Sequence, residues 1–153
     1  KESGRFVVAN DLATYSHVMA QAYIEADANA LDIPKLVRWI EHLNALPGEP
    51  GYITRTFCEE ARFFHPKNGA HIDAIRGEID RLDASPHERV VLLTALMLAA
   101  DRVDSTTGLQ MAYLKTWAPR ALNDLELRLP RLLPGAGLAT REDAVALVER
   151  GGT

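Results

Sequence analysis

The 153-residue sequence is poor in features that mark whole classes of protein. A single cysteine, Cys58, excludes an internal disulfide framework, so we predict a reducing compartment such as the cytoplasm. The longest apolar run, Val90 to Ala100, is interrupted by Thr94 and is shorter than the roughly 18–20 apolar residues that span a membrane. No basic-then-apolar secretory signal opens the chain. We therefore do not expect a membrane or secreted protein.

Positive charge is not in excess, and no glycine-rich phosphate-binding loop is present. The net charge of −4 and the pI of about 5.7 argue against a protein whose whole surface binds nucleic acid. A local basic face stays open, although a scattered, solvated surface explains the same residues. Cys58, His65 and His71 lie close in sequence without a zinc-type spacing, so no metal site is predicted. The basic residues cluster at Arg55, Arg62, Lys67, Arg76 and Arg81, and again at Lys115, Arg120, Arg128 and Arg131.

Apolar periodicity predicts short strands at both ends of the chain and helices between them. Residues 49–66 read as a long irregular segment. This order favours an α/β sheet interrupted by a helical insertion, and both chain ends read as cuts through a larger fold. The predicted elements are a strand at 6–9, helices at 12–28, 34–43, 67–82 and 86–103 (with a Ser85 capping box), a short helix at 111–117, a strand at 125–129, a turn at 134–137 and a last helix capped by Thr140.

Asp11 directly follows the first predicted strand, Val7-Val8-Ala9-Asn10. In open α/β sheets ligands bind beyond the carboxyl ends of strands, and a carboxylate there can accept hydrogen bonds from both hydroxyls of a ribose. The next residue, Leu12, is placed to pack on an adenine ring. Two other readings stay open: Asp11 caps the following helix, or it holds the ribose of a different nucleotide in another α/β enzyme.

Four groups of segments follow one another along the chain. They are Ala9-Asn10-Asp11-Leu12 with Tyr15-Ser16, then Arg62-Phe63-Phe64 with Asn68-Gly69-Ala70, Ile72-Asp73 and Ile75-Arg76, then Ala99 to Val103 with Thr106-Thr107-Gly108 and Ala112 to Lys115, then Arg141-Glu142-Asp143-Ala144. In this order they resemble adenine-specific DNA methyltransferases of the Dam-like class, and the first group is similar to the second cofactor-binding motif of that family.

The resemblance implies a fold and a cofactor. The fold is part of a Rossmann-like methyltransferase sheet, with residues 1–30 and 122–153 in the cofactor-binding domain and 31–121 as a large helical insertion. S-adenosylmethionine is the implied cofactor: Asp11 and Leu12 would hold its adenosine, and Asp143 would accept from its adenine amino group. A first-turn acid favoured by the helix dipole is the alternative reading of Asp143.

The insertion would be the target-recognition region, and double-stranded DNA the partner. Candidate DNA contacts are Arg55, Arg62, Lys67, Lys115 and Tyr52, with Phe57 and Phe64 as further aromatic candidates. Ordinary core packing is the alternative for the aromatic residues.

Two motifs of the family are missing from the sequence. Neither its FxGxG-type loop nor its Asp/Asn-Pro-Pro-Tyr loop, which binds the flipped adenine, occurs here. No catalytic residue is therefore assigned, and we expect these 153 residues alone to be inactive. The alternative function is a non-enzymatic helical module, derived from such an enzyme, that binds DNA or protein.

Overall fold

The computed structural model describes residues 1–106 and 116–150. They form two compact units, each assembled from separate stretches of sequence. Unit 1 comprises Lys1–Leu36, Ala84–Thr94 and Pro130–Thr153, and unit 2 comprises Val37–Asp83 and Ala95–Leu129. No helix in the described part of the chain is long and apolar enough to cross a bilayer. The domain boundaries expected at residues 30 and 121 stay a prediction.

Unit 1 contains a small parallel sheet. Strand β1 (Val7–Asn10) confirms the predicted first strand, and it pairs with β2 (Gly137–Thr140) so that Asn10 lies opposite Thr140. Helix α1 (Thr14–Ala20) follows β1 and continues into a π-helical segment (Gln21–Glu25). Parallel pairing is typical of α/β proteins and agrees with the predicted class. The complete Rossmann-like sheet with its insertion stays a proposal.

The end of unit 1 corrects two predictions. Residue Gly137 was assigned to a turn and Thr140 to a helix cap, yet the two residues begin and end β2. The N-cap of helix α6 (Ala144–Glu149) is Asp143, whose side chain accepts hydrogen bonds from the amides of Val145 and Ala146. These contacts satisfy two of the amides that every helix leaves unpaired at its start.

Three longer helices confirm predicted helices: α2 (Ile33–Asn44), α4 (Pro66–Arg81) and α5 (Pro86–Asp101). The capping box predicted for α5 is present, since the Ser85 amide donates to the Glu88 carboxylate (2.8 Å) and the Glu88 amide donates to the Ser85 hydroxyl (3.3 Å). The buried apolar side chains of unit 2 include Ile40, Leu43, Ile72, Ile75, Ile79, Leu96, Ala99, Leu125 and Leu127.

The segment 49–66, predicted to be irregular, contains two short helical pieces. These are α3 (Tyr52–Thr54) and a π-helical segment (Arg55–Glu59). A 3-10 turn, Pro119–Leu122, lies near the start of the second described stretch. The short helix predicted at 111–117 falls largely outside the described residues.

The strand predicted at 125–129 is wrong. Its residues alternate as predicted, with Leu125 and Leu127 buried between exposed neighbours, but their backbone pairs with side-chain amides instead of another strand. The Asn44 side chain accepts from the Leu127 amide (2.7 Å) and donates to its carbonyl (3.0 Å). The Asn68 side chain accepts from the Leu125 amide (3.1 Å). These amides supply the partners that a β-ladder would otherwise supply.

Candidate functional site

Asn10, the last residue of β1, ties together the chain segments that follow the two strands. Its side-chain oxygen accepts from the Thr140 hydroxyl (2.8 Å) and the Glu142 amide (3.0 Å), and its side-chain nitrogen donates to the Glu142 carbonyl (3.0 Å). The Asp11 amide extends the ladder by donating to the Thr140 carbonyl (3.3 Å). The segments that carry Asp11 and Asp143 therefore leave the same edge of the sheet side by side. We call this region the carboxylate edge: Asn10 to Leu12 and Thr140 to Asp143.

Asp11 is an exposed, ionised carboxylate at this edge. A hydrogen bond with the Ser16 side chain and one from the Ala13 amide hold the pKa of Asp11 below its ordinary value. The N-cap residue of α1 is Ala13. The alternative prediction that Asp11 is the N-cap of this helix is therefore wrong. A carboxylate has about four acceptor positions, so acceptor capacity remains for a ligand.

Asp143 divides its two oxygens between different environments. Its Oδ1 atom accepts from the amides of Val145 (2.9 Å) and Ala146 (3.0 Å). Its Oδ2 atom accepts no hydrogen bond from the residues that the structure describes, and the side chain is exposed. Asp143 is thus a structural cap and also offers an acceptor oxygen to a ligand.

Apolar side chains stand exposed around the two carboxylates. Leu12, Tyr15 and Val145 are 61%, 66% and 65% exposed. The Arg141 guanidinium donates to the Leu12 carbonyl (2.9 Å), so a side chain of one segment holds the backbone of the other. A ligand that joins a polar ribose to a flat ring fits this combination of acceptors and apolar surface.

In unit 2, Asp73 of α4 anchors the turn that presents Tyr52. Its carboxylate accepts from the amides of Gly51 (2.8 Å), Ile53 (2.8 Å) and Thr54 (2.9 Å), and from the Thr54 hydroxyl (2.8 Å). Burial raises the pKa of Asp73, but these hydrogen bonds outweigh burial and hold the pKa below its ordinary value. An ionised side chain on one helix therefore fixes a helical turn that is far away in sequence.

Tyr52 begins a row of aromatic rings, the aromatic row, that continues through Phe57, Phe63 and Phe64. Successive ring centroids are 5.9, 5.9 and 4.8 Å apart with edge-to-face geometry. Tyr52 is 60% exposed whereas Phe64 is 8% exposed, so the row passes from the surface into the interior. For Phe64 the core reading holds, and Tyr52 lies where a partner can contact it. Tyr52 also lines an apolar cavity of about 410 Å³.

Arg55 and Arg62 are exposed on the same stretch of chain. The Arg62 guanidinium lies over the Trp117 ring, 5.8 Å from its centroid, and the His65 ring is 5.1 Å from Trp117 at 59°. We call these three residues (Arg62, His65 and Trp117) the Trp117 stack. Trp117 did not stand out in the sequence, because nothing local reveals that it meets residues more than fifty positions earlier.

Lys67, the third basic candidate for a DNA contact, is held by neighbouring groups. Its ammonium donates to the Leu122 carbonyl (2.6 Å) and to Asp124 (2.7 Å), and the hydrogen bond to Lys67 lowers the pKa of Asp124. A phosphate would compete with these partners, so Lys67 as a DNA contact stays a prediction. Lys115 lies outside the described residues. Within the described ranges, no three acidic, histidine or cysteine side chains are grouped to hold a metal ion.

The family model and the relatives that match this chain are all methyltransferases or methylases by name. The model of the D12 class N6 adenine-specific DNA methyltransferases matches residues 1–153. The chain is 31% identical to the type II methyltransferase M.NlaIII of Neisseria lactamica, over 83% of this chain and 40% of that protein. It is 34% identical to M.CviAII of Paramecium bursaria Chlorella virus 1, over 75% and 36%, and 29% identical to the modification methylase StsI of Streptococcus sanguinis, over 94% and 24%. The chain thus spans less than half the length of these relatives. No solved structure matches it significantly.

Proposed function

The chain belongs to the D12 class of N6 adenine-specific DNA methyltransferases, and on that premise we propose that it forms the part of such an enzyme that binds the methyl donor and contacts DNA. The reaction would transfer a methyl group from S-adenosylmethionine to the amino group of adenine in a specific DNA sequence. The carboxylate edge carries the proposal, because two adjacent parallel strands deliver Asp11 and Asp143 to one place. The alternative of a non-enzymatic module is not favoured by relatives that are named methyltransferases.

The carboxylate edge suits the adenosine part of S-adenosylmethionine. Asp11 would accept from the ribose hydroxyls, since it is exposed and its lowered pKa keeps it ionised near neutral pH. The Oδ2 atom of Asp143 would accept from the adenine amino group, and Leu12 would cover the ring. When bound, S-adenosylmethionine supplies an electrophilic methyl group on a sulfonium. The contribution of these residues is to hold the donor in one orientation.

DNA would be contacted by unit 2 through exposed basic and aromatic side chains. Arg55 and Arg62 offer guanidinium groups to phosphates, and Tyr52 offers a ring that Asp73 and Phe57 hold in place. Asp73 anchors the turn before Arg55, so this surface is already ordered in the free protein. DNA binding therefore loses little conformational entropy here. Double-stranded DNA is the proposed form, because the relatives are type II methyltransferases and modification methylases.

Binding of S-adenosylmethionine to the full-length protein tests the proposal. Asp11→Asn and Asp143→Asn each remove a charged acceptor while keeping an oxygen for the local amide bonds, so the fold should survive. We expect each substitution to raise the Kd for labelled S-adenosylmethionine at least roughly tenfold in equilibrium dialysis. Asp32→Asn is the matched control, because Asp32 is an exposed acid of unit 1 that caps the Lys35 amide (2.9 Å).

Methylation of duplex DNA with labelled donor then tests the reaction. Transfer to the adenine amino nitrogen should be detected with wild type and Asp32→Asn, and reduced in parallel with binding in the two site variants. Unchanged donor binding in both site variants would contradict the assignment of the carboxylate edge. Methylation of cytosine, or no methylation by a protein that binds the donor, would contradict the proposed reaction.

A further inference from the structure

The Trp117 stack has a geometry that suits the backbone of a nucleic acid. We propose that it binds a phosphodiester of the DNA: Arg62 and His65 donate hydrogen bonds to the phosphate oxygens, and Trp117 is the residue that positions them. The inference rests on the proposed DNA methyltransferase function and adds two residues, His65 and Trp117, to the DNA-contacting surface.

Trp117 orients the Arg62 guanidinium. A tryptophan face attracts a cation within about 6 Å of its centroid, and the guanidinium carbon of Arg62 lies at 5.8 Å. The planar guanidinium carries its N–H donors as a fork, and such a fork can meet two oxygens of one phosphate. Trp117 therefore restricts the positions of the fork of donors before DNA arrives.

The role of His65 follows from its place at the start of α4. Its Nδ1 atom accepts a hydrogen bond from the Lys67 amide (3.3 Å) and so caps the helix. An accepting Nδ1 carries no proton, so in the neutral ring the proton is on Nε2. In this tautomer His65 presents an Nε2–H donor while its Nδ1 atom caps the helix.

Hydrogen bonds of Ser105 hold the backbone next to Arg62 and Trp117. The Ser105 amide donates to the Phe63 carbonyl (2.7 Å), and the Ala118 amide donates to the Ser105 hydroxyl (3.0 Å). Ser105 thus connects Phe63, the residue after Arg62, to Ala118, the residue after Trp117. A surface held in this way loses little conformational freedom when it binds a partner.

Directed hydrogen bonds, and not net charge, would provide the affinity. The chain as a whole carries −4, and Glu59 and Glu60 are exposed shortly before Arg62. A diffuse basic patch is therefore not available at this position. An oriented guanidinium beside a neutral N–H donor selects a phosphate even where the surrounding field is weak.

The salt dependence of DNA binding separates a phosphate contact from a structural role. Fluorescence anisotropy of the full-length protein with an end-labelled 30-base-pair duplex would be measured between 50 and 200 mM salt. We expect Arg62→Gln to weaken binding roughly three- to tenfold at the low-salt end. It should also reduce the slope of log K against log salt by about 0.9, the value for one phosphate contact. Arg81→Gln is the matched control, because Arg81 is exposed at the far end of the 16-residue α4, about 24 Å away.

Two further variants test the other members of the stack. Trp117→Phe keeps an aromatic face and should bind within about twofold of wild type, whereas Trp117→Leu should lose affinity and slope as Arg62→Gln does. His65→Asn keeps a cap for α4 but is too short to reach a phosphate, so it should weaken binding with an unchanged Tm.

The DNA-binding measurements distinguish a failure of this inference from a failure of the proposed function. If wild type binds DNA and Arg62→Gln, Trp117→Leu and His65→Asn all match it in affinity and slope, the Trp117 stack does not bind phosphate while the proposed function stands. If Trp117→Leu lowers affinity and Tm but leaves the slope unchanged, Trp117 supports the fold and does not position Arg62. If wild type itself fails to bind the duplex, the proposed function falls together with this inference.

Discussion

Replacement of Asp73 by alanine tests whether one carboxylate holds the turn at Tyr52–Thr54. In the folded protein Asp73 accepts four hydrogen bonds of 2.8–2.9 Å, from the amides of Gly51, Ile53 and Thr54 and from the Thr54 hydroxyl. Alanine leaves all four donors without this partner. Because the turn precedes Arg55, the same change would disorder part of the proposed DNA-contacting surface.

The expected loss of stability follows from the number of bonds and the exposure of the turn. A hydrogen bond contributes about 1 kcal/mol net, so four give an upper value of about 4 kcal/mol. Water can reach part of this half-buried turn and replace some of the lost bonds. We therefore expect Asp73→Ala to lower the free energy of unfolding by about 2 kcal/mol, which corresponds to a Tm lowered by about 4–8 °C. Asp73→Asn keeps one acceptor oxygen and should lose roughly half as much.

The effect should depend on pH in a defined direction. The pKa of Asp73 in the folded protein lies below the ordinary value of 3.8, because the hydrogen bonds from Thr54, Ile53 and Gly51 outweigh burial. Its stabilising contribution is therefore complete above pH 3.8 and is lost as the pH falls through the folded-state pKa. The difference in stability between wild type and Asp73→Ala should be constant at neutral pH and shrink below about pH 4.

Urea and thermal unfolding followed by circular dichroism measure these differences. Asp80→Ala is the matched control, since Asp80 is an exposed acid of the same helix in an ion pair with Arg76 and should contribute at most about 0.5 kcal/mol. A loss below about 0.5 kcal/mol for Asp73→Ala, or a difference from wild type that persists undiminished at pH 2.5, would refute the anchoring role.

Three further changes test other parts of the molecule. Asn10→Ala removes the hydrogen bonds to Thr140 and Glu142 and should raise the Kd for S-adenosylmethionine roughly tenfold in equilibrium dialysis. An unchanged Kd would show that these hydrogen bonds are not needed for binding. Asn68→Ala should cost about 3 kcal/mol in urea unfolding, because Asn68 is 2% exposed and bonds three backbone groups; a cost below about 1 kcal/mol would contradict this. Burial raises the pKa of Cys58 to about 11, so a thiol reagent at pH 8 should modify it far more slowly than in urea, and equal rates would contradict its burial.

Elements specified by local sequence could be predicted. Strand β1 is a short apolar run, and α4 and α5 each begin with a proline in the first turn after a residue that caps the helix. Such signals lie within a few residues of the element that they start. The prediction therefore needed no knowledge of what the element packs against.

Strand β2 could not be predicted because its strand character comes from its partner. Its residues are Gly137-Leu138-Ala139-Thr140, of which only the threonine is β-branched. A Cβ atom at Gly137 would overlap the Ile24 carbonyl oxygen, so the glycine that favours a turn prediction here is also what allows the strand to approach Ile24 closely. Parallel pairing with β1 then gives it the extended conformation.

The failed strand at 125–129 has the opposite explanation. Alternation of Leu125, Glu126, Leu127 and Arg128 reports correctly which side chains are buried, but it does not report what binds the backbone. Asn44 is far away in sequence, and nothing near Leu127 indicates that an asparagine amide will occupy its hydrogen-bonding positions. Burial is encoded along the segment itself, whereas the backbone partner is encoded elsewhere in the chain.

Asp143 shows why structural and functional readings of one residue need not compete. A carboxylate has two oxygens: Oδ1 caps α6, and Oδ2 accepts no hydrogen bond among the residues that the structure describes. In Asp143→Asn the amide oxygen can keep the cap, which places the NH2 group where Oδ2 was. That group is a donor, and it would face the donor amino group of the adenine ring. The substitution should therefore leave the Tm near that of wild type while weakening S-adenosylmethionine binding. A fall in Tm with unchanged binding would instead mean that capping is the whole role of Asp143.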